Sequence, residues 1–428
     1  MAIAIFLVFF VLILLNIPIA VSLGLASATG LLMYGLPLSV LPNLMYSSVA
    51  KFVLLAIPYF ILAGFIMDRA GISKRLINLA SAFVGHVRHG MLVVVVVATC
   101  FYSAMTGSGP ATVAALGSVL IPAMITAGYN PALATALMSS AGGLGIIIPP
   151  SIAFVVYASI SDVSISKLFS GGVFPGLLVA AAFLVAAIIS SRGDKTVLKQ
   201  QLPRASAKVR WHALKEAFWG LLTPVIVLGG IYGGIFTPTE AAGVAIVYSL
   251  ILGVFIYREI KIKDLYKIFI DSAVTSGVVM YIVACASIFA WIMTTSHIAT
   301  DMSNALMSLS HNKIVLMLLF NLVFILVGLF VDPNSAMYIM VPVMLPVVRT
   351  LGIDLIHFGV IITVNLALGQ VTPPVAVNLA VGCNISKVPM IDAFRRIGPF
   401  VFWGIVALLI VTFVPQLTMF LANLTRQM

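Results

Sequence analysis

The residues of this chain that could do chemistry lie inside its greasiest stretches. From Thr106 to Pro110 it reads T-G-S-G-P, and from Gly142 to Ser151 it reads G-G-L-G-I-I-I-P-P-S, both within long apolar runs. An irregular backbone facing hydrocarbon leaves amides unpaired at a cost of several kcal/mol each. Such breaks survive only where they pack inside protein or line a polar cavity. A half-helix that ends at a break offers free carbonyl oxygens, and one that starts there offers free N–H groups with a partial positive charge. The first kind, near Ser103–Thr106 and Gly142–Gly145, suits Na+ together with nearby hydroxyls. The second, beginning at Pro110 and Pro150, suits a carboxylate, and proline is favoured at the first helical position.

The pattern occurs twice. A shift of 224 positions carries Pro122 onto Pro346, Gly128 onto Gly352, Gly145 onto Gly369, Pro149 and Pro150 onto Pro373 and Pro374, and Pro175 onto Pro399, with no gap. Leu and Val match cheaply between two apolar stretches, but Pro-Pro and Gly at fixed register mark an internal duplication. The same shift pairs Ser108 with Asp332, Ala104 with Gly328 and Ile148 with Thr372. One candidate sodium-binding set is therefore Ser103, Ser108, Gly145 and the Ile148 carbonyl; the other is Gly328, Asp332, Gly369 and Thr372. An ionisable side chain at the bilayer centre is expensive, so Asp332 marks function by default. The plainer reading, a cap on the helix starting at Pro333, is compatible with that role, and Ser108 has the same two readings. Ser108, Ser151, Asn334 and Ser335 are expected to face one cavity and touch a substrate. Inverted repeats of broken helices meeting at the midplane are a plan used by ion-coupled transporters.

The elements that must position these residues follow from composition. Of 428 residues 62% are hydrophobic and 8% charged, which makes the chain an all-α polytopic membrane protein. The spans at 90–105 and 111–127 are too short to cross and read as a re-entrant hairpin, 90–127. The spans at 131–147 and 150–160 form one broken helix, 131–160. Their counterparts are a hairpin at 314–349 and a broken helix at 355–383. The expected organisation is then one or two N-terminal helices in 1–37 and a first repeat in 38–191. A basic connection at 192–216 and linking scaffold helices at 217–257 lead to a second repeat in 258–428. Leu38–Lys51 and 258–270 look amphipathic and are expected to lie in the interface plane. The N-terminus has no basic region ahead of its apolar run, so the first helix is expected to be retained.

Charge placement tests this layout. With the second repeat inverted, loop 68–89, the connection 192–216, the stretch 258–267 and Lys387, Arg395 and Arg396 share one face. Together they hold eighteen of the 23 lysines and arginines, so that face is the cytoplasmic one. Only Lys51, Lys167, Lys313, Arg349 and Arg426 fall opposite. This placement explains the net charge of +11 without a nucleic-acid partner.

Other chemistries find little support. His86 and His89 lack the further ligands a metal site needs, and His297, His311 and His357 have no convergent carboxylates. Cys100, Cys285 and Cys383 form no C-x-x-C motif and read as packing residues. There is no P-loop, G-x-S-x-G or H-E-x-x-H sequence, which argues against an ATP-driven pump or a hydrolase. An intramembrane enzyme would need two groups facing each other at depth, and Asp332 is the one strong midplane acid.

G-S-G-P-A-T-V-A-A-L-G-S-V-L-I-P from Gly107, G-I-I-I-P-P-S from Gly145 and A-I-P-Y-F-I-L-A-G from Ala56 resemble the large membrane subunit of TRAP transporters, the tripartite ATP-independent periplasmic family. The likeness runs essentially end to end. It implies an elevator-type, Na+-driven importer of organic acids, not an enzyme, in the bacterial inner membrane. It also implies a small membrane subunit, here a separate chain, and a periplasmic substrate-binding protein. Family substrates include C4-dicarboxylates and sialic acid, and overall likeness leans to sialic acid. The alternative is a self-sufficient Na+/organic anion symporter.

Overall fold

Proline and glycine mark the hairpin tips and the breaks, although Pro122, Pro175, Pro224, Pro342, Pro346 and Pro399 lie inside helices. In the computed structural model, which describes residues 2–192, 204–310 and 312–425, every regular element is a helix. Among the described residues seven helices are long and apolar enough to cross a bilayer, and one bent pair adds an eighth. The N-terminal stretch forms two short helices, Ala2–Leu14 and Ile19–Met33, separated at Asn16, whose φ is +63°, and Pro18. They fold back on each other: a Cβ built on Gly30 would lie 3.1 Å from Ile5 Cδ1. At ~1.5 Å rise per residue neither reaches across a hydrocarbon core of ~30 Å.

Both hairpins and both broken helices are present. The first hairpin has arms Gly90–Thr106 and Gly109–Thr126, turned at Gly107 with φ +62°. The first broken helix runs Pro131–Gly142, Leu144–Ile147 and Ile152–Ser161, with a bend of 42° at the break. The second hairpin has arms Lys313–Gly328 and Pro333–Thr350, and the second broken helix runs Leu355–Gly369 and Val377–Ser386. The break prolines are cis in both repeats, at Pro149-Pro150 and Pro373-Pro374.

Contacts between the broken helices show that the repeats are inverted. A Cβ on Gly382 would meet Thr135 Cγ2 at 3.2 Å, so the end of the second broken helix lies beside the start of the first. At the middle, a Cβ on Gly143 would lie 3.2 Å from the Ala367 carbonyl oxygen. At the far end Tyr157 donates its hydroxyl to the Leu355 carbonyl at 2.7 Å. The two run antiparallel and cross at their breaks, where small residues allow close backbone approach. Long closing helices, Ile165–Ser191 and Met390–Phe413, pack on each other behind them.

The surrounding elements depart from expectation in three places. Stretch 68–89 is not a loop. It holds the helix Ile72–Val84, whose buried side carries Ile72, Leu76, Ile77 and Ala80 against Gly90–Thr106 and Ala207–Tyr232. Residues 258–270 do not form a separate interfacial helix. They run into one 34-residue helix, Ile262–Thr295, while the repeat-related chain breaks between Val40–Val49 and Ala56–Arg69. The helix Ala207–Tyr232 begins inside the expected 192–216 connection, of which 193–203 lies outside the described residues, as do His311 and Arg426. Helix Ala56–Arg69 packs on Pro238–Ile251 and Ile262–Thr295. Arg75 fastens that assembly: it pairs with Glu259 at 3.1 Å, stacks 3.9 Å over the Tyr257 ring and donates to the Ala70 and Gly71 carbonyls.

Candidate functional site

Each hairpin tip rests on the break of its own repeat. In the first, the Ile152 N–H donates to the Gly107 carbonyl at 3.3 Å, so a free N–H of the second half-helix is spent on the tip. A Cβ on Gly145 would stand 2.6 Å from the Ser108 carbonyl oxygen, and one on Gly107 would stand 2.8 Å from the Pro150 carbonyl. Only glycine fits these contacts, and Gly107 also needs its left-handed φ. The Thr106 and Thr112 hydroxyls share a hydrogen bond at 2.8 Å, and Thr112 also donates to the Ser108 carbonyl at 2.8 Å. Ser103 is 0% exposed, and its hydroxyl has no partner among the described residues. Ser108 sits at the N-cap position of Gly109–Thr126, yet its side chain makes no capping bond. Ile148 ends the first part of the break in an extended conformation, buried.

The second repeat builds the same contact with different chemistry. The Val375 N–H donates to the Leu329 carbonyl at 3.1 Å, and a Cβ on Gly369 would lie 2.7 Å from Gly328 backbone atoms. Asp332 caps Pro333–Thr350: Oδ1 accepts from the Asn334 N–H at 3.0 Å and the Ser335 N–H at 3.2 Å, and Oδ2 from the Ser335 hydroxyl at 2.5 Å. Thr372 turns its hydroxyl back to the Leu368 carbonyl at 2.8 Å.

Between the tips lies a cavity of about 950 Å³. Ser108 and Gly109 border it from one hairpin, Asp332 and Asn334 from the other, and Ile146 and Gln370 from the two breaks. It runs from there to Arg69, Lys74 and Glu259, beside the turns at Gly71 and Glu259. Of the residues expected to face a substrate, Ser108 and Asn334 border this cavity. Ser151 and Ser335 do not: each is fully buried. Ser151 donates to the Ile146 carbonyl at 2.6 Å and accepts from the Phe154 N–H, and Ser335 is bound to Asp332. Ser151 is the N-cap of its helix and Ser335 lies in the first turn of its own, where capping bonds outcompete a cavity.

Thr106 lies in the stretch the sequence marks out, whereas Thr112, Gln370 and Asn378 are not singled out by it. Nor is Asp68, which lines the cavity and accepts from the Tyr102 hydroxyl at 3.3 Å and the Ser73 hydroxyl at 3.4 Å. The threonines lie within or just after the T-G-S-G-P tip and were legible there. Gln370 follows Gly369 directly, and an amide in an apolar run is a polar signal of the same kind as Asp332. Asp68 opens the polar stretch 68–89, which reads as a loop from sequence.

The family model described as "Tripartite ATP-independent periplasmic transporter, DctM component" matches residues 6–417. The chain belongs to that family. It is 40% identical over 95% of its length to the isethionate TRAP transporter permease protein DctMQ of Oleidesulfovibrio alaskensis, and spans 64% of that longer protein. It is 39% identical to the C4-dicarboxylate TRAP transporter large permease protein DctM of Pseudomonas aeruginosa, over 94% of both chains. It is 35% identical to the sialic acid TRAP transporter large permease protein SiaM of Vibrio cholerae, over 89% of this chain and 88% of that one. Among solved structures, the Alcanivorax borkumensis YdaH transporter shares the fold, with a TM-score of 0.63 at 16% identity over 89% of this chain and 90% of that one. The protein is thus a multi-pass large permease subunit of the TRAP type and not an enzyme.

Proposed function

We propose that this subunit carries organic anions across the bacterial inner membrane, driven by Na+, by displacement of its hairpins and broken helices as one body. The observation that carries this reading is the cavity. It is bounded by both hairpin tips and extends towards the turns beside Arg69, Lys74 and Glu259, on the face where positive charge concentrates. The hairpins enter from opposite faces, so nothing held between Ser108 and Asp332 passes straight through. The Ser103 hydroxyl, buried without a partner among the described residues, and the Ser108 carbonyl against Gly145 are the oxygens a Na+ ion would use in the first repeat. The Asp332 carboxylate and the Gly328–Gly369 contact are the counterpart in the second. Ser151, Ser335 and Thr372 support the site through caps and turns.

The family description, tripartite and periplasmic, supports a small membrane subunit and a periplasmic binding protein as partners. The relatives are named for a sulfonate, dicarboxylates and a sugar acid, so an anionic oxygen group is their common feature and sialic acid is one candidate among three. The test is uptake of isethionate, succinate and N-acetylneuraminate into proteoliposomes, with Na+, small subunit and binding protein omitted in turn. Uptake of one acid that needs all three additions is expected. Uptake without Na+ removes the coupling, and uptake without the binding protein makes the chain a self-sufficient symporter.

A further inference from the structure

The two repeats line the cavity with different residues at one equivalent place. The 224-residue shift that matches the break prolines carries Ile146 onto Gln370 and Phe154 onto Asn378. Ile146 and Gln370 both border the cavity, and Phe154 and Asn378 are both fully buried behind it. An apolar pair in the first repeat is thus a polar pair in the second, in a setting where a buried amide costs free energy unless it is bonded.

The bonding fixes which way the amides point. Gly143 donates to the Ser140 carbonyl, and Asn378 Nδ2 lies 3.4 Å from the Ser139 carbonyl oxygen, at the end of its half-helix. A carbonyl only accepts, so the Asn378 atom facing it is nitrogen. That nitrogen also lies 3.4 Å from Gln370 Oε1, which fixes the second amide in turn. Gln370 Nε2 finds no protein partner among the described residues, and Gln370 borders the cavity although it is only 6% exposed. Asn378 Oδ1 is left buried without a donor among the described residues, at a cost of ~1–3 kcal/mol, so packing alone does not select this arrangement. Room for it comes from Gly109 at the first hairpin tip, where a Cβ would lie 2.5 Å from Gln370 Oε1.

We infer that Gln370 contacts the transported anion: its amide N–H group donates to an anionic oxygen or hydroxyl held between the hairpin tips, with Asn378 as its positioning residue. This rests on the reading of the cavity as an organic-anion site. It adds a discriminating contact from one repeat only, so an asymmetric substrate meets an amide on one wall and Ile146 on the other.

The test uses the assembled transporter in proteoliposomes with isethionate, succinate and N-acetylneuraminate as probes. Gln370→Leu should raise KM for the transported acid about tenfold while leaving half-saturation by Na+ within about twofold, as loss of one donor to a charged acceptor predicts. Gln370→Glu, nearly isosteric, should raise it further by placing a carboxylate against the anion. An unchanged KM in both variants, or equal weakening for acid and Na+, assigns Gln370 a structural role and overturns the inference. If the wild-type assembly transports none of the three acids, the reading of the cavity fails and takes this contact with it. A second measurement needs no uptake. Gln370→Cys, in a background without Cys100, Cys285 and Cys383, should react with a membrane-impermeant methanethiosulfonate from the cytoplasmic side. Failure to react also overturns the inference.

Discussion

Gly145 of the first broken helix lies against the carbonyl oxygen of Ser108 at the first hairpin tip, with 2.6 Å left for a Cβ it does not have. The same construction joins Gly369 to Gly328 at 2.7 Å in the other repeat. Both candidate ion sites therefore depend on backbone contact between elements that start some 40 residues apart, and glycine is what permits the approach.

Gly145→Ala should accordingly damage the site before it damages the fold. The methyl group must push the Ser108 carbonyl away, at a cost of about 1–3 kcal/mol for an overpacked position. The expected result is a protein that inserts normally and takes up substrate poorly, with Na+ affinity reduced more than substrate affinity. Na+ titration of uptake checks this, and an unchanged titration would separate Gly145 from ion binding.

The two roles of Asp332 can be separated. Asp332→Ala removes the cap bonds to Asn334 and Ser335 and should lower stability by about 0.5–2 kcal/mol. Asp332→Asn keeps one oxygen to accept from those N–H groups, turns the atom facing the Ser335 hydroxyl from acceptor into donor, and removes the charge. Both variants should lose Na+-dependent uptake, and only the first should unfold at lower temperature. Wild-type Na+ dependence in Asp332→Asn would take the charge out of the mechanism.

The body that moves should be stoppable by one tether. A Cβ on Gly64, in the helix Ala56–Arg69, would lie 3.7 Å from Thr106 Cα in the first hairpin, close enough for a disulfide. Gly64→Cys combined with Thr106→Cys should oxidise readily, halt uptake and recover on reduction. Full-rate uptake by protein shown to be cross-linked would mean that these elements keep their relation during transport and that local gating replaces the moving carrier.

Topology has its own check. In a background without native cysteines, Lys208→Cys and Ser308→Cys place exposed thiols on opposite sides of the membrane. Position 208 should label only from the cytoplasm and position 308 only from the periplasm. Labelling of both from one side would sink the inverted arrangement.

Much of this was legible in the chain. Both hairpins and both broken helices fall within a few residues of where T-G-S-G-P, the Pro-Pro breaks and the 224-residue repeat place them. Helix Ile72–Val84 was not, because it carries Lys74, Arg75 and Asn78 and reads as a polar loop until its buried side meets Gly90–Thr106. The single helix Ile262–Thr295 was not either. Its repeat mate is interrupted by Pro58 and by Ala50–Lys51, and no such residue marks the second copy. Ser151 and Ser335 are expected in the cavity from sequence because hydroxyls beside a break suggest ligands. Whether a hydroxyl turns to its own helix end or outward depends on local geometry.

The sequence by itself determined that this chain lives in a membrane, that it is built twice, and where its helices break. Proline and glycine act on their own few residues, and the bilayer forbids unpaired backbone everywhere else. Only the tertiary structure decided which oxygens are spent and which are free. Both Asp332 carboxylate oxygens accept capping bonds, the Ser108 side chain makes none, the Ser103 hydroxyl has no partner among the described residues, and Gln370 borders the cavity with its Oε1 against Asn378 Nδ2. Those outcomes depend on contacts such as Asn378 with Ser139, 239 positions apart. No local pattern encodes a contact of that range, because it exists only once the two repeats have crossed at their breaks.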